Sequence, residues 1–284
     1  MPLNQACVGK SYPPVTAEVS REALEKYARA YNDDNPAFFD IKRPGGIIAP
    51  PLFGVVVTWP ALVQAIGDSD LHVDFLRLLH GEQEMEFFNP IRPGDRIVSS
   101  ARIDSIQTKA NGETLTIELD AHDEKGERKA RILFGAFIRG GGNRRSADRE
   151  ADTDKVERGA ADVTVSQKID ADQTFRYAEA SGDLNPIHVD ENVARMAGLP
   201  GIIVHGLCTM AFTSKVIIDN LCGGDPARLK RLRVRFARPV FPGQTITTKV
   251  WQDGATDGRR VYAYETYNLE GRAVIRDGVA EVAN

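Results

Sequence analysis

The sequence of 284 residues contains one internal repeat, and this repeat constrains the fold more than any other feature. Residues 27–38 match residues 177–188 at an offset of 150, with a tyrosine at the start and an Asp-x-Asn-Pro run further on in both segments. Residues 46–51 correspond to residues 201–206, and residues 87–97 correspond to residues 236–246. Because these correspondences occur in the same order, we predict two folded halves with the same topology.

Each copy of the repeat continues with one long apolar segment and then several segments of alternating polarity. Residues 52–66 and 207–221 are apolar over most of a helical circumference, which is typical of a buried helix. Residues 231–236 read Arg-Leu-Arg-Val-Arg-Phe, so their apolar side chains recur with the period of a strand. Further candidate strands are residues 83–88, 96–107, 114–122, 128–138, 245–252, 260–269 and 273–282. This order predicts an α+β fold in which an antiparallel sheet wraps one long helix in each half.

The two copies are separated by a segment that cannot form a core. Residues 139–158 are rich in glycine and then densely charged with both signs. We therefore expect a first domain over residues 1–139, a charged linker over residues 140–160 and a second domain over residues 161–284.

Composition and charge narrow the class of function. The formal net charge is −4 and hydrophobic residues make up 42% of the chain, which predicts a globular protein with no nucleic-acid partner. The N-terminus lacks a charged segment followed by an apolar core, and no apolar run is long enough to span a bilayer, so we expect a cytoplasmic protein with no membrane partner. The three cysteines, Cys7, Cys208 and Cys222, have no metal-ligand spacing, and we expect no metal and no organic cofactor.

The second copy carries a carboxylate and an imidazole that a turn can bring together. Asp183 and His188 stand five residues apart, and Pro186 between them prevents the preceding helix from continuing. A carboxylate and an imidazole at one spot are the groups needed to move a proton from water to a neighbouring carbon. Taken singly, each residue is also explained by ordinary turn chemistry or by a packed histidine.

Together, the segment Tyr177…Ser181-Gly182-Asp183-x-Asn185-Pro186-Ile187-His188 and the downstream Ile203-Val204-His205-Gly206 resemble the signature of the MaoC-like (R)-specific enoyl-CoA hydratases. This resemblance implies two hotdog units in tandem, each a long helix wrapped by an antiparallel sheet. It also implies a hydro-lyase that reversibly hydrates a trans-2-enoyl thioester to the (R)-3-hydroxyacyl thioester. The substrate would be an acyl-CoA, and an acyl carrier protein thioester is possible.

The resemblance further implies the roles of the site residues. Asp183 and His188 would be the acid–base pair, and Asn185 would help to hold the water between them. The N–H of Gly206 would donate to the thioester oxygen, a role that suits the unpaired donors and the positive dipole end of a helix N-terminus. Gly182 and His205 are expected to contact the substrate. His205 could also orient the oxyanion turn at Gly206, and a histidine that is only packed is an equal alternative.

The first copy lacks the histidine and the glycine N–H of the second copy. Phe38 aligns with His188, and Pro51, which aligns with Gly206, has no N–H to donate. We therefore expect a non-catalytic first half that shapes the acyl pocket, and residues 80–87 resemble a segment of N-terminal MaoC-type halves. Asp33 and Asn35 survive in the first copy, and we interpret them as turn and cap residues.

The sequence leaves open the type of function, the role of three arginines and the oligomeric state. A hotdog acyl-CoA thioesterase, or a non-catalytic protein that binds acyl-CoA or acyl carrier protein, would share parts of this pattern. Arg231, Arg233 and Arg235 share one strand face and are candidate substrate-binding residues for the phosphates of CoA, but a solvated strand face explains them equally well. Isolated hotdog units usually pair edge to edge, and for the fused chain we expect a homodimer.

Overall fold

The computed structural model describes residues 1–75, 77–140 and 158–284, and within these ranges ten strands form one antiparallel sheet. The strands are β1 (Val15–Glu18), β2 (Leu78–Phe87), β3 (Arg96–Lys109), β4 (Gly112–Asp123), β5 (Arg128–Arg139), β6 (Val163–Lys168), β7 (Leu229–Phe236), β8 (Thr245–Thr256), β9 (Arg259–Tyr267) and β10 (Ala273–Ala283). Their order across the sheet is β1-β3-β4-β5-β2-β7-β10-β9-β8-β6. The predicted linker, residues 140–160, lies for the most part outside the described residues.

The sheet consists of two halves of five strands that repeat one another. At its centre β2 pairs with β7, with Gln83 opposite Val234 and Met85 opposite Leu232. Outward from this pair, β5, β4, β3 and β1 on one side correspond to β10, β9, β8 and β6 on the other. The two copies of the sequence repeat therefore form two hotdog units that share one sheet, which confirms the predicted α+β double hotdog.

The helices confirm the predicted order with small shifts at their ends. In the described residues they are α1 (Arg21–Arg29), α2 (Gly54–Ile66), α3 (Gln173–Ser181), α4 (Glu191–Met196) and α5 (Gly206–Leu221). The first long helix, α2, starts later than predicted because Pro51–Phe53 forms a separate 3-10 turn before it. The second, α5, starts one residue earlier, at Gly206. None of these described helices is both long and apolar enough to cross a bilayer.

The core lies between the long helices and the sheet. Helix α2 packs against β3 and β4, and helix α5 packs against β7 and β10. Most of α5 is buried, including its polar residues Thr209, Thr213 and Ser214, whose hydroxyls donate to backbone carbonyls of the helix itself. Satisfying these hydroxyls within the helix allows it to be buried on nearly all sides. This burial fixes the N-terminal end of α5, on which the candidate site is built.

Candidate active site

The turn from Asp183 to His188 starts where α3 ends. Gly182 closes α3 in the left-handed conformation, with a φ of 78°, which glycine adopts without strain. The Ser181 hydroxyl then accepts a hydrogen bond from the Asp183 N–H at 3.2 Å. The left-handed conformation accounts for Gly182, and its contact with substrate stays a prediction.

Side chains within the turn fix its shape. The Asp183 carboxylate accepts a hydrogen bond from the Asn185 N–H at 3.2 Å, and the Asn185 side-chain oxygen accepts one from the Ile187 N–H at 3.3 Å. A 3-10 turn, Pro186–His188, follows. The fold thus brings the carboxylate of Asp183 and the ring of His188 together, with potential ligand atoms of the two side chains within 4.8 Å of one another.

His188 is held so that one ring nitrogen is left for proton exchange. The residue is only 7% exposed, and Nδ1 lies 2.8 Å from the carbonyl oxygen of Ile203. Because a carbonyl oxygen can only accept, Nδ1 carries the proton and Nε2 is the atom that can take or give one. Burial lowers the pKa of His188, and the Ile203 carbonyl and the Asp183 charge oppose this shift. At neutral pH the ring is therefore neutral.

His205 stacks on His188 and is bonded to the protein through both of its nitrogens. Nε2 lies 3.0 Å from the backbone oxygen of Asp183, and Nδ1 lies 3.3 Å from the hydroxyl of Thr174. Burial, reinforced by the neighbouring His188, lowers the pKa of His205 to about 3. Both ring nitrogens of His205 face protein atoms, so neither is free for the predicted contact with substrate. Both alternatives, a histidine that orients the turn and a histidine that is only packed, are compatible with this geometry.

The same cluster has the composition of a metal site. Asp183, His188 and His205 each offer one potential ligand atom, and these atoms lie within 4.8 Å of one another. Both nitrogens of His205 already have protein partners, so a metal ion would have to displace one of those hydrogen bonds. The existing hydrogen bonds of His205, and not the types of donor, thus favour proton transfer over metal binding at this cluster.

The N-terminal end of α5 begins beside this pair. Gly206 is the first residue of α5 and directly follows His205. The N–H groups of a first helical turn have no acceptor within the helix, and they carry the positive end of its dipole. A Cβ at position 206 would lie 3.1 Å from the ring of Phe236 on β7, so packing also favours glycine there.

A histidine of the first half completes the surroundings of the site. His80, near the start of β2, packs its ring on Phe134 and Phe236, with centroid distances of 4.4 Å and 4.9 Å. Its Nε2 lies 3.0 Å from the side-chain oxygen of Gln83. Burial lowers the pKa of His80 to about 4, whereas the hydrogen bond with Gln83 and the charge of Asp183 act in the opposite direction. The contact with Phe236, whose ring also lies beside Gly206, puts His80 near the N-terminal end of α5.

The sequence assigned no role to His80. Residues 80–87 resemble a segment of N-terminal MaoC-type halves, but this resemblance does not predict where His80 lies. His80 lies beside the second half because β2 pairs with β7. That pairing carries no local sequence signal, because strand partners are set by the whole fold.

Comparison with known proteins agrees with this fold. The profile of the MaoC like domain matches residues 152–273, and that of the FAS1-like dehydratase domain region matches residues 6–130. A probable enoyl-CoA hydratase 2 of Dictyostelium discoideum is 32% identical over 239 residues, which are 82% of this chain and 80% of that protein. The chain belongs to the MaoC-like dehydratase family.

Two further similar proteins differ in how much of their own length this chain matches. The crystal structure of a MaoC-like dehydratase from Phytophthora capsici superposes with a TM-score of 0.84 at 26% identity, and it covers 99% of this chain and 98% of that one. Peroxisomal multifunctional enzyme type 2 of Mus musculus is 30% identical over 82% of this chain, but the match is 31% of that protein. The matched segment of this chain therefore spans about a third of the length of the multifunctional enzyme.

The first half keeps the shape of the turn, with Phe38 in the place of His188. Asp33 is buried and ion-paired with Lys215 of α5, with Nζ 3.4 Å from Oδ1. Burial raises the pKa of Asp33, and Lys215 opposes that shift. Asn35 caps the 3-10 turn Pro36–Phe38 and also donates to the carbonyl of Gly224 at 2.9 Å. Asp33 and Asn35 thus act as turn and cap residues, as predicted, and Phe38 is fully buried.

The three arginines of β7 lie on the sheet face opposite the buried side chains of Leu232 and Val234. Arg231 has a nitrogen 2.9 Å from Glu84 and another 2.9 Å from Glu281, and Arg233 and Arg235 have carboxylates within 4.0 Å. The predicted alternation is confirmed. These acidic partners account for the arginines without a ligand, and their contact with CoA stays a prediction.

Proposed function

We propose that this MaoC-like protein catalyses the reversible addition of water to a trans-2-enoyl-CoA, giving the (R)-3-hydroxyacyl-CoA. The observation that carries the proposal is the convergence of the Asp183 carboxylate and the neutral His188 ring beside the N-terminal end of α5. Acid–base chemistry at a thioester needs a proton acceptor and a donor for the carbonyl oxygen. The name of the Dictyostelium relative, a probable enoyl-CoA hydratase 2, supports the same reaction.

In the proposed mechanism, the Gly206 N–H donates to the thioester oxygen. This polarisation makes C3 of the enoyl group electrophilic and stabilises the enolate that forms when hydroxide adds. The Asp183–His188 pair removes one proton from water as the oxygen bonds to C3, and the same pair delivers a proton to C2. Water thus supplies the hydroxyl group on C3 and, in exchange through the pair, the proton on C2, and the enzyme ends in the protonation state in which it began.

Asn185 is suited to hold the reacting water. Its side-chain oxygen accepts from the Ile187 N–H, which directs the amide nitrogen to act as the donor. Nε2 of a neutral His188 and the carboxylate of Asp183 are both acceptors, so the water can be held by one donor and two acceptors. During the reaction the pair takes one proton from the water and gives one to C2, so the two groups act as a unit in the proposal.

The decisive experiment is incubation of the full chain with crotonyl-CoA and longer enoyl-CoAs, with two signals followed together. Hydration removes the absorbance of the conjugated double bond without releasing thiol. Release of free thiol instead would identify a thioesterase. Binding with neither signal would identify a non-catalytic acyl-thioester protein, and either result would replace the proposal.

Three further statements belong to this proposal. The first half contributes a structural partner and part of the pocket, without a second set of acid–base groups. The chain forms a homodimer, which light scattering coupled to gel filtration tests. It acts in the cytoplasm on CoA thioesters, which cell fractionation and a comparison of CoA with acyl-carrier-protein substrates test.

A further inference from the structure

His205 contacts both members of the Asp183–His188 pair. Its Nε2 reaches the backbone oxygen of Asp183 at 3.0 Å, and its ring stacks on that of His188 with centroids 3.7 Å apart and planes 25° apart. It also directly precedes Gly206 in the chain. One side chain is therefore linked to the carboxylate, the imidazole and the helix N-terminus of the site.

The hydrogen bonds fix the tautomer of His205. The carbonyl oxygen of Asp183 can only accept, so Nε2 carries the proton and Nδ1 is the unprotonated nitrogen, 3.3 Å from the Thr174 hydroxyl. The single hydrogen of that hydroxyl has a shorter contact, at 2.9 Å, with the carbonyl oxygen of His188, so Thr174 links the His205 ring to the His188 backbone. His205 is 1% exposed and presents no free polar atom to a substrate. Any effect of His205 on the reaction must therefore pass through its neighbours.

We propose that His205 is a positioning residue, which keeps the Asp183 backbone and the His188 ring in register with each other and with Gly206 without touching the substrate. This inference rests on the proposed hydratase function. The Nε2–H bond holds the backbone from which the Asp183 carboxylate projects, and the stacked ring covers one face of His188 against water.

The first half provides an internal comparison. At the position of His205 it carries Pro50, and at the position of His188 it carries Phe38. A proline at position 50 has no polar side chain that could bind the backbone of Asp33. The carboxylate of Asp33 instead forms an ion pair with Lys215. The hydrogen bond from His205 to the Asp183 backbone thus occurs in the second half, which contains the candidate pair. The first half has Pro50 at the corresponding position and cannot form this bond.

Two substitutions separate the hydrogen bond from the stack. His205→Phe keeps a flat ring against His188 but removes the Nε2–H donor, and His205→Gln keeps a donor at a similar reach but loses the ring. If His205 positions the pair, His205→Phe lowers kcat by roughly 10- to 100-fold with KM nearly unchanged. His205→Gln recovers part of the loss. His122→Gln, on β4, is the matched control and leaves kcat unchanged.

A titration that needs no turnover makes the test independent of the activity. Removing the stacked ring in His205→Gln admits water to His188, so the pKa of His188, followed by imidazole NMR, rises by about 0.5 unit or more. His205→Phe leaves that pKa closer to the wild-type value. A protein that hydrates no enoyl-CoA would refute the proposed function, whereas the titration would still report on the stacking of His205 on His188.

Two outcomes would overturn the inference. One is a folded His205→Phe variant with wild-type kcat and a His205→Gln variant with an unchanged His188 pKa. The other is a rise in KM at constant kcat in both variants, which would identify a substrate contact instead of a positioning role. Thermal melting of each variant establishes that it is folded before the kinetics are compared.

Discussion

The hydroxyl oxygens of Tyr27 and Tyr177 lie 2.9 Å apart in the buried contact between the two halves of the protein. The two tyrosines occupy the same position in the sequence repeat, so the axis that relates the halves passes between them. Both residues are at most 1% exposed, and burial raises the pKa of each hydroxyl. The ring of Tyr177 also lies 5.1 Å from that of His205. The first half therefore supports the wall behind the candidate site.

The tyrosine pair should behave as one unit in unfolding experiments. Tyr27→Phe or Tyr177→Phe leaves the other hydroxyl buried with its main partner missing, and we expect each to lower the free energy of unfolding by about 1–2 kcal/mol. The double variant should cost less than the sum, because neither hydroxyl is then left unpaired. Urea denaturation of the four proteins measures this, and strictly additive losses would contradict a direct bond.

Asp183→Asn and His188→Ala should each reduce hydration of crotonyl-CoA by roughly 10²–10⁴-fold, as is usual for general acid–base groups. The double variant should be little worse than the poorer single one, because the two groups handle the same proton. Steady-state kinetics on variants with unchanged melting temperature provide the measurement. Near-normal turnover in either folded variant would remove that residue from the mechanism.

Gly206→Ala should lower kcat because of crowding by Phe236, and a smaller side chain at position 236 should reverse part of the loss. The added Cβ would lie 3.1 Å from the Phe236 ring, so either the ring or the first turn of α5 must shift. A displaced oxyanion donor costs as much as about 10²–10³-fold in kcat, and we expect a loss within that limit. Phe236→Leu in the same chain should restore part of the activity. A double variant as poor as Gly206→Ala alone would show that crowding by Phe236 is not the cause.

Stability should fall on mild acidification because buried histidines resist protonation in the folded state. Burial lowers the pKa of His80 to about 4 and that of His205 to about 3, from an ordinary 6.5, and lowers that of His188 as well. Between pH 6.5 and these values the unfolded chain binds more protons, so the contribution is complete above pH 6.5 and is lost as the pH falls. Urea midpoints measured from pH 7.5 to 5 test this. His80→Gln should flatten the dependence, and the control His122→Gln should not.

The first half should gain no activity from a restored histidine. Phe38→His places an imidazole in the corresponding turn, but Asp33 stays paired with Lys215 and Pro51 still has no N–H. In an Asp183→Asn background, Phe38→His should therefore leave hydration at the level of Asp183→Asn alone. Progress curves at high enzyme concentration give the necessary sensitivity. A clear rise in rate would mean that the first half contains a usable second site.

The order of elements and the turn itself could be predicted from the sequence, because both depend on local signals. Pro186 and Asn185 determine the turn within a few residues, and the apolar run before Leu221 determines a helix. Contacts that join distant segments could not. The ion pair of Arg231 with Glu84 and the packing of His80 on Phe236 both arise from the pairing of β2 with β7, which no short segment encodes.

The hydrogen bonding of β2 to β7 within one chain has an evolutionary consequence. In a dimer of identical units, any substitution that removes a catalytic group from one site removes it from the other as well. Covalent fusion lifts that constraint, since each copy mutates separately while the sheet between them still forms without an encounter of two molecules. Phe38, Pro50 and Pro51, at the positions of His188, His205 and Gly206, are differences between the copies of the kind that this independence permits.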